Sequence, residues 1–244
     1  MNFRDPKKRL FIISIAILFL AGLGLWFWQP GPVISFFNKV HLPVTSSMRH
    51  FAREHRENAA CHAAYGGDLQ SMYDCGILLM DDHLNRDSSD RWAREAQGMA
   101  MLRKAAEKGH AAAQYELGRY EEQQGVYDEA FRWYSRSARQ GYPEAEGSLA
   151  FAYWLGQGTA ENEEEATHWF QQAAYAGDPM AAESLGQIYR DRGNLVLAYR
   201  WYAVAQCYGN KPNVEEIRDK LSPNQIHEAE EAAQSFIKTH PKSY

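Results

Sequence analysis

The chain of 244 residues is predicted to be all-α: a solenoid of helix-turn-helix repeats preceded by one transmembrane helix. Two observations predict it. A skeleton of glycines recurs at a fixed period, and Leu10 to Trp28 is an uncharged apolar run. Gly67, Gly109, Gly141 and Gly177 each precede a small residue by nine positions, namely Gly76, Gly118, Ala150 and Gly186. The pairs Met101-Leu102, Trp133-Tyr134, Trp169-Phe170 and Trp201-Tyr202 each stand eight and seven residues before Gly109, Gly141, Gly177 and Gly209. A period of about 20–50 residues marks stacked units, each of which buries its face only against its neighbours.

Residues 1–9 carry Arg4, Lys7, Lys8 and Arg9, directly before the apolar run. Residues 10–28 are long enough, at ~1.5 Å per residue, to span the bilayer's hydrocarbon core. The positive flank places residues 1–9 in the cytoplasm and the body across the membrane. The competing reading is a cleaved signal peptide, whose apolar core is usually ~7–15 residues. This run is longer and ends in Trp26 and Trp28, which favours an uncleaved signal-anchor. Residues 29–48 form a linker broken by Pro30, Gly31, Pro32 and Pro43. Residues 49–66 read as one helix of an incomplete unit.

The period then predicts four hairpins over 67–210. Their helices lie near 68–80 and 92–108, 111–123 and 127–140, 143–155 and 163–176, and 179–191 and 195–208. Pro143 and Pro179 sit where helices begin, and the missing proline N–H costs nothing there. A polar loop, Asp81 to Asp90, lengthens the first hairpin. Residues 211–244 form terminal helices near 213–221 and 223–238, the second with Ser222 as N-cap and Pro223 at its first position. Such helices cover the apolar face that the last unit would otherwise leave wet.

The quoted motifs resemble Sel1-like repeats, relatives of the tetratricopeptide class. The pattern reads Ala181, Leu185-Gly186-x-x-Tyr189, Ala198, Trp201-Tyr202 and Gly209, and again Ala145, Leu149-Ala150-x-x-Tyr153, Glu165-Ala166, Trp169-Phe170, Ala173-Ala174 and Gly177. The second unit has Leu117-Gly118 and Trp133-Tyr134, with Glu121 in the tyrosine slot. In the first, Cys75 takes the leucine slot and Met101-Leu102 the aromatic pair. The resemblance covers residues 60–210 and implies a right-handed superhelix that binds other proteins on the concave face lined by each first helix. Trp133, Trp169 and Trp201 belong to the repeat pattern and are expected in the core.

Register with the repeat points to Tyr73, Ile77, Tyr115, Arg119, Phe151, Trp154, Gln187 and Arg190 as off-consensus residues that could face a partner. Aromatics and arginine are the usual anchors of interfaces. Packing against the neighbouring unit is the alternative for each of them.

Cys61 and Cys75 lie seven residues to either side of Asp68. Equidistant positions of an antiparallel hairpin face each other, so a disulfide is geometrically allowed if the Cα atoms approach within about 7 Å. Two buried thiols are the alternative. Cys207 reads as a buried free thiol.

The net charge of −5 divides unevenly. Residues 1–41 carry five Lys/Arg against Asp5 alone, so the remaining 203 residues carry 21 Lys/Arg against 30 Asp/Glu, or −9. An acidic body argues against nucleic acid as partner, because phosphate binding needs clustered cations. It suits a basic protein surface, or simply solubility.

No Gly-x-Ser-x-Gly, Gly-rich phosphate loop or His-Glu-x-x-His occurs, so an enzyme, a cofactor or a metal site is not expected. Asp81, Asp82, His83, Asp87 and Asp90 lack calcium-loop spacing and read as a solvated loop. The expected function is a membrane-anchored periplasmic interaction module of the bacterial inner membrane, an adaptor or regulator whose partner is another envelope or secreted protein. The resemblance adds two alternatives. Some periplasmic Sel1-like proteins are immunity proteins that neutralise a secreted effector. Certain cysteine-rich ones bind or hydrolyse β-lactams, but those carry a cysteine pair in each repeat, and repeats two and three here have none.

Overall fold

Ten helices follow one another along the residues described by the computed structural model, 61–80 and 91–241. The chain divides into two units, residues 1–59 and 60–244, and the described residues all belong to the second. Residues 61–65 are helical. After them come α1 (Leu69–Met80) and α2 (Arg91–Glu107), α3 (Ala111–Gln123) and α4 (Tyr127–Ala138), α5 (Pro143–Leu155) and α6 (Glu163–Tyr175), and α7 (Pro179–Asp191) and α8 (Leu195–Cys207). A single turn, α9 (Glu215–Arg218), precedes the long α10 (Pro223–Thr239). Helices pack in consecutive pairs, each second helix packs on the next first helix, and α10 packs on α8. There are no strands among the described residues.

Local chemistry sets these boundaries. Gly67, Gly109, Gly141, Gly177 and Gly209 all have positive φ, from 77° to 101°. That left-handed conformation lets the chain leave each second helix. At Gly109 the Gly109 N–H bonds the Ala106 carbonyl and the His110 N–H bonds that of Ala105, both at 3.0 Å. This is a Schellman ending. The residue after the glycine then starts the next helix. Asp178 does so by accepting from the N–H groups of Met180 and Ala181. His110 does so through Nδ1, which accepts from Ala113 N–H at 3.2 Å. Pro143, Pro179 and Pro223 occupy first-turn positions. Ser222 and Gln225 form a reciprocal capping box that fixes the start of α10.

Each hairpin closes on a small residue. A methyl group added at Gly118 would lie 2.6 Å from the Tyr134 ring, one at Gly186 2.5 Å from the Tyr202 ring, and one at Gly76 2.7 Å from Leu102 Cγ. In the third hairpin Ala150 and Phe170 share one buried cluster. The second member of each aromatic pair thus seats against the small residue of its own first helix. Trp133 and Trp201 are buried, and Trp169 is half-buried between two clusters. The core is rich in alanine at the crossings, which lets backbones approach, with single large rings filling the space between layers.

Two expectations need correction. The terminal helix expected near 213–221 is one turn, Glu215–Arg218, after which Lys220 and Leu221 make only i→i−3 bonds to Ile217 and Arg218. Cys207 is exposed, not buried, because it is the last residue of α8 and α10 packs on another side of that helix. Among the described residues no helix is long and apolar enough to cross a membrane. The expected span at 10–28, the linker 29–48 and the loop Asp81 to Asp90 lie outside the described residues.

Candidate functional site

A repeated contact joins each hairpin to the next on the side of the first helices. The residue six positions after one closing glycine meets the residue directly after the next. Tyr73 stacks on His110, with centroids 5.0 Å apart and planes at 21°. Tyr115 meets Tyr142 at 5.5 Å and 45°. At the third rung Asp178 lies over Gly147, where an added methyl group would come 2.9 Å from its Oδ2. At the fourth, Asn210 Nδ2 donates to Glu183 Oε2. The rungs are aromatic in the first half of the array and polar in the second.

The aromatic half gathers three of the expected partner-binding residues. Tyr73 and Tyr115 are half-buried and Arg119 is exposed. Arg119 lies over the Tyr115 ring at 5.8 Å and pairs with Glu116 at 3.2 Å. Burial pushes the Tyr73 phenol above its ordinary value, helped by the charges of Glu116, Asp74 and Glu144. Burial does the same at Tyr115, opposed by Arg119. Tyr142 is pushed up to about 12, first by burial and then by Glu144. The Tyr73–His110 and Tyr115–Tyr142 contacts join α1 to the start of α3 and α3 to the start of α5 along one side of the array, and the charge of Glu144 on α5 acts on Tyr73 as well.

Three members of this face were not singled out from the sequence: His110, Tyr142 and Glu144. For His110 and Tyr142 the signal was present in the position directly after each closing glycine, which ends one helix and starts the next, while Glu144 lies in the first turn of α5. The residue types at that position vary from Asp68 through His110, Tyr142 and Asp178 to Asn210, so no residue pattern advertises it.

The other expected residues lie elsewhere. Phe151 and Trp154 both meet Phe170 edge-on, at 4.9 and 5.7 Å, and lie 6.0 Å from each other. They pack within their own hairpin, against the buried cluster of the second half of the array. Ile77 is half-buried against the cluster of the first hairpin, and Gln187 is half-buried. Arg190 is exposed and pairs with its neighbour Asp191 at 3.0 Å.

Cys61 and Cys75 are joined by a disulfide, with Cα atoms 4.9 Å apart. The bridge ties the helical residues 61–65 to buried Cys75 of α1. No group of three metal-ligating side chains gathers among the described residues. An open depression of about 480 Å³ lies between the α7–α8 turn and the start of α10, lined by Arg192, Asn194, Leu195, Val196, Lys220 and Gln225 among others. Its two cations are committed elsewhere, Arg192 to Glu163 and Lys220 to Glu216.

Comparison with known proteins agrees with the fold. The Sel1 repeat family model matches residues 95–110, 111–142 and 143–178. Chitin synthase regulatory factor 4 of Schizosaccharomyces pombe is 32% identical over 148 residues, 56% of this chain and 22% of that protein. An uncharacterized protein of Neisseria meningitidis serogroup B is 32% identical over 105 residues, 43% of this chain and 22% of that protein. The chain thus spans about a fifth of the length of these relatives. Among solved structures, a protective antigen of uropathogenic Escherichia coli with this repeat fold superposes with a TM-score of 0.56 at 19% identity, covering 87% of this chain and 53% of that one. A Sel1 repeat protein from Oxalobacter formigenes gives 0.54 at 20% identity, covering 83% and 92%. Proteins with such repeats are generally protein–protein interaction modules and typically non-enzymatic scaffolds. Residues 95–178 thus match Sel1 repeats, and the described residues fold as an all-helical solenoid like the solved structures of such repeats.

Proposed function

We propose that the protein is a membrane-anchored interaction module of the bacterial envelope. Its helical array stands in the periplasm and holds a partner protein on the face formed by α1, α3 and α5. The observation that carries this reading is the convergence of Tyr73, Tyr115, Tyr142 and Arg119 on one partly open face. The repeat pattern needs none of these four, and tyrosine with arginine is the composition typical of binding hot spots. The uncharged run 10–28 behind Lys7, Lys8 and Arg9 supports the anchor. The Cys61–Cys75 bridge suits an oxidising compartment. The similarity to a fission-yeast regulatory factor is in keeping with a regulatory rather than catalytic role.

The test is capture after brief crosslinking of full-length protein extracted from membranes, with an Arg119→Glu/Tyr142→Ser variant as control. The Trp154 and Phe151 positions are unsuitable as controls, since their loss would disturb packing on Phe170. An envelope protein captured by the parent and lost in the variant supports the adaptor reading. A secreted toxin behaving in the same way supports the immunity reading. Equal capture by both sinks the assignment of this face.

A further inference from the structure

The face has a chemistry more specific than its aromatic character. Among the described residues its carboxylates are Asp74, Glu116 and Glu144, and its one permanent cation is Arg119. Burial holds His110 below its ordinary pKa, so its ring carries no charge near neutral pH. Glu116 is paired with Arg119, and Asp74 accepts from Gln70 Nε2 at 2.8 Å. Glu144 has no ion pair among the described residues. The hydroxyls of Tyr73 and Tyr142 have no hydrogen-bond partner among them either, and the charge of Glu144 acts on both phenols. Aromatic faces are negative at the centre of the ring and attract cations. The whole body around the site is acidic, at −9 beyond residue 41.

We infer that the Tyr73–Tyr115–Tyr142 face binds an arginine- or lysine-bearing segment of its partner, the cation resting on the phenol rings and paired with Glu144. This rests on the reading of the array as a protein-binding module and names the chemistry of the partner. A planar guanidinium fits best, because it stacks on a ring while its edge donates to a carboxylate. Arg119 on Tyr115 already shows that geometry from within the chain, at 5.8 Å and with Glu116 as its carboxylate. Charge complementarity selects this occupant over an acidic or phosphorylated segment, which Glu116 and Glu144 would repel.

The probes are two peptides, acetylated and amidated, of alternating glycine and arginine or alternating glycine and glutamate, titrated into the full-length protein in detergent. The arginine peptide is expected to bind at least about tenfold more tightly than the glutamate peptide, and binding should weaken with salt. Tyr142→Phe keeps the ring and is expected to keep affinity within about twofold, whereas Tyr142→Leu and Glu144→Gln each weaken it about fivefold or more. Circular dichroism of each variant separates loss of the site from loss of the fold. No binding of the arginine peptide at millimolar concentration, or affinity unchanged in both Tyr142→Leu and Glu144→Gln, overturns the inference. A photoreactive phenylalanine in place of Tyr115 separates the two readings. A partner crosslinked through a segment that holds arginine or lysine supports both. One crosslinked through a segment without either overturns the basic-ligand inference and leaves the interaction module standing. Absence of any protein crosslink counts against both.

Discussion

The ring of Tyr73 lies nearly parallel to that of His110, 5.0 Å away and across the junction between two hairpins. His110 has three duties at that junction. Its N–H bonds the Ala105 carbonyl to close α2, and its Nδ1 accepts from Ala113 to open α3. Its ring gives Tyr73 a stacking surface. Since Nδ1 accepts, Nε2 carries the proton and donates to Gln70 Oε1 at 3.1 Å. This tautomer is uncharged, and a proton on Nδ1 would remove the cap and add positive charge at a helix N-terminus.

His110 is therefore expected to titrate below 6.5. Burial lowers its pKa, while Asp74 and Asp68 oppose the shift. For a base whose folded pKa is depressed, the unfolded chain takes up its proton first as pH falls. The stabilising contribution is complete above 6.5 and is lost as pH drops from 6.5 through the folded value. His110→Asn keeps a capping oxygen and should flatten that part of the stability-pH curve. Histidine NMR titration checks the premise, and a His110 pKa at or above 6.5 would refute it.

The helices were legible in the sequence because their boundaries are written in local chemistry. The left-handed glycines, the prolines of the first turn and Ser222 each act within one turn of where they stand. The rungs between hairpins were not legible. They pair offsets six and one across a junction, and their chemistry changes from Tyr–His to Tyr–Tyr, Gly–Asp and Glu–Asn. Tyr73, Tyr115 and Arg119 stood out as off-consensus residues, and the structure brings them together. Phe151 and Trp154 stood out for the same reason yet pack on Phe170. A residue absent from a repeat pattern can serve its own hairpin as readily as a partner, and only the direction of its side chain separates the two.

The last rung offers a stability test away from the aromatic face. Asn210 Nδ2 donates to Glu183 Oε2 in a partly buried setting. Asn210→Ala is expected to cost about 1–2 kcal/mol, toward the lower part of the range for a hydrogen bond to a charged group because water reaches the site. Glu183→Ala should cost less, since it removes the charge and leaves a neutral amide. Denaturant titration of both singles and the double variant should show less than additive loss. Additive effects would mean that the rung does not couple α7 to the end of α8.

Gly186→Ala sets two effects against each other. Replacing a helical glycine by alanine gains about 1 kcal/mol in propensity. The new methyl group would lie 2.5 Å from the ring of Tyr202, which is only 3% exposed and cannot swing into solvent. Overpacking of this kind costs about 1–3 kcal/mol. The steric cost should win, so that the variant unfolds at lower denaturant than the parent. Gly118→Ala should behave alike against Tyr134. A variant as stable as the parent would show that the two helices can separate without penalty.

The three cysteines report on the fold and the location of the array in one experiment. Cys207 is exposed and free, whereas Cys61 and Cys75 are bridged. The folded protein should therefore take up one alkylating group, and the reduced, unfolded protein three. Reduction opens a loop with a sequence separation of 14 residues, for which chain entropy predicts a loss of about 3 kcal/mol. The loss should be felt first where residues 61–65 meet α1, while the hairpins from α3 to α8 stay folded, because each unit in such an array leans only on its neighbours. Hydrogen exchange with and without reductant resolves that difference along the chain. If residues 10–28 anchor the array in the periplasm, a membrane-impermeant maleimide should label Cys207 in cells whose outer membrane alone has been opened. Labelling only after the inner membrane is broken would place the array on the cytoplasmic side. The disulfide would then need another explanation than its compartment.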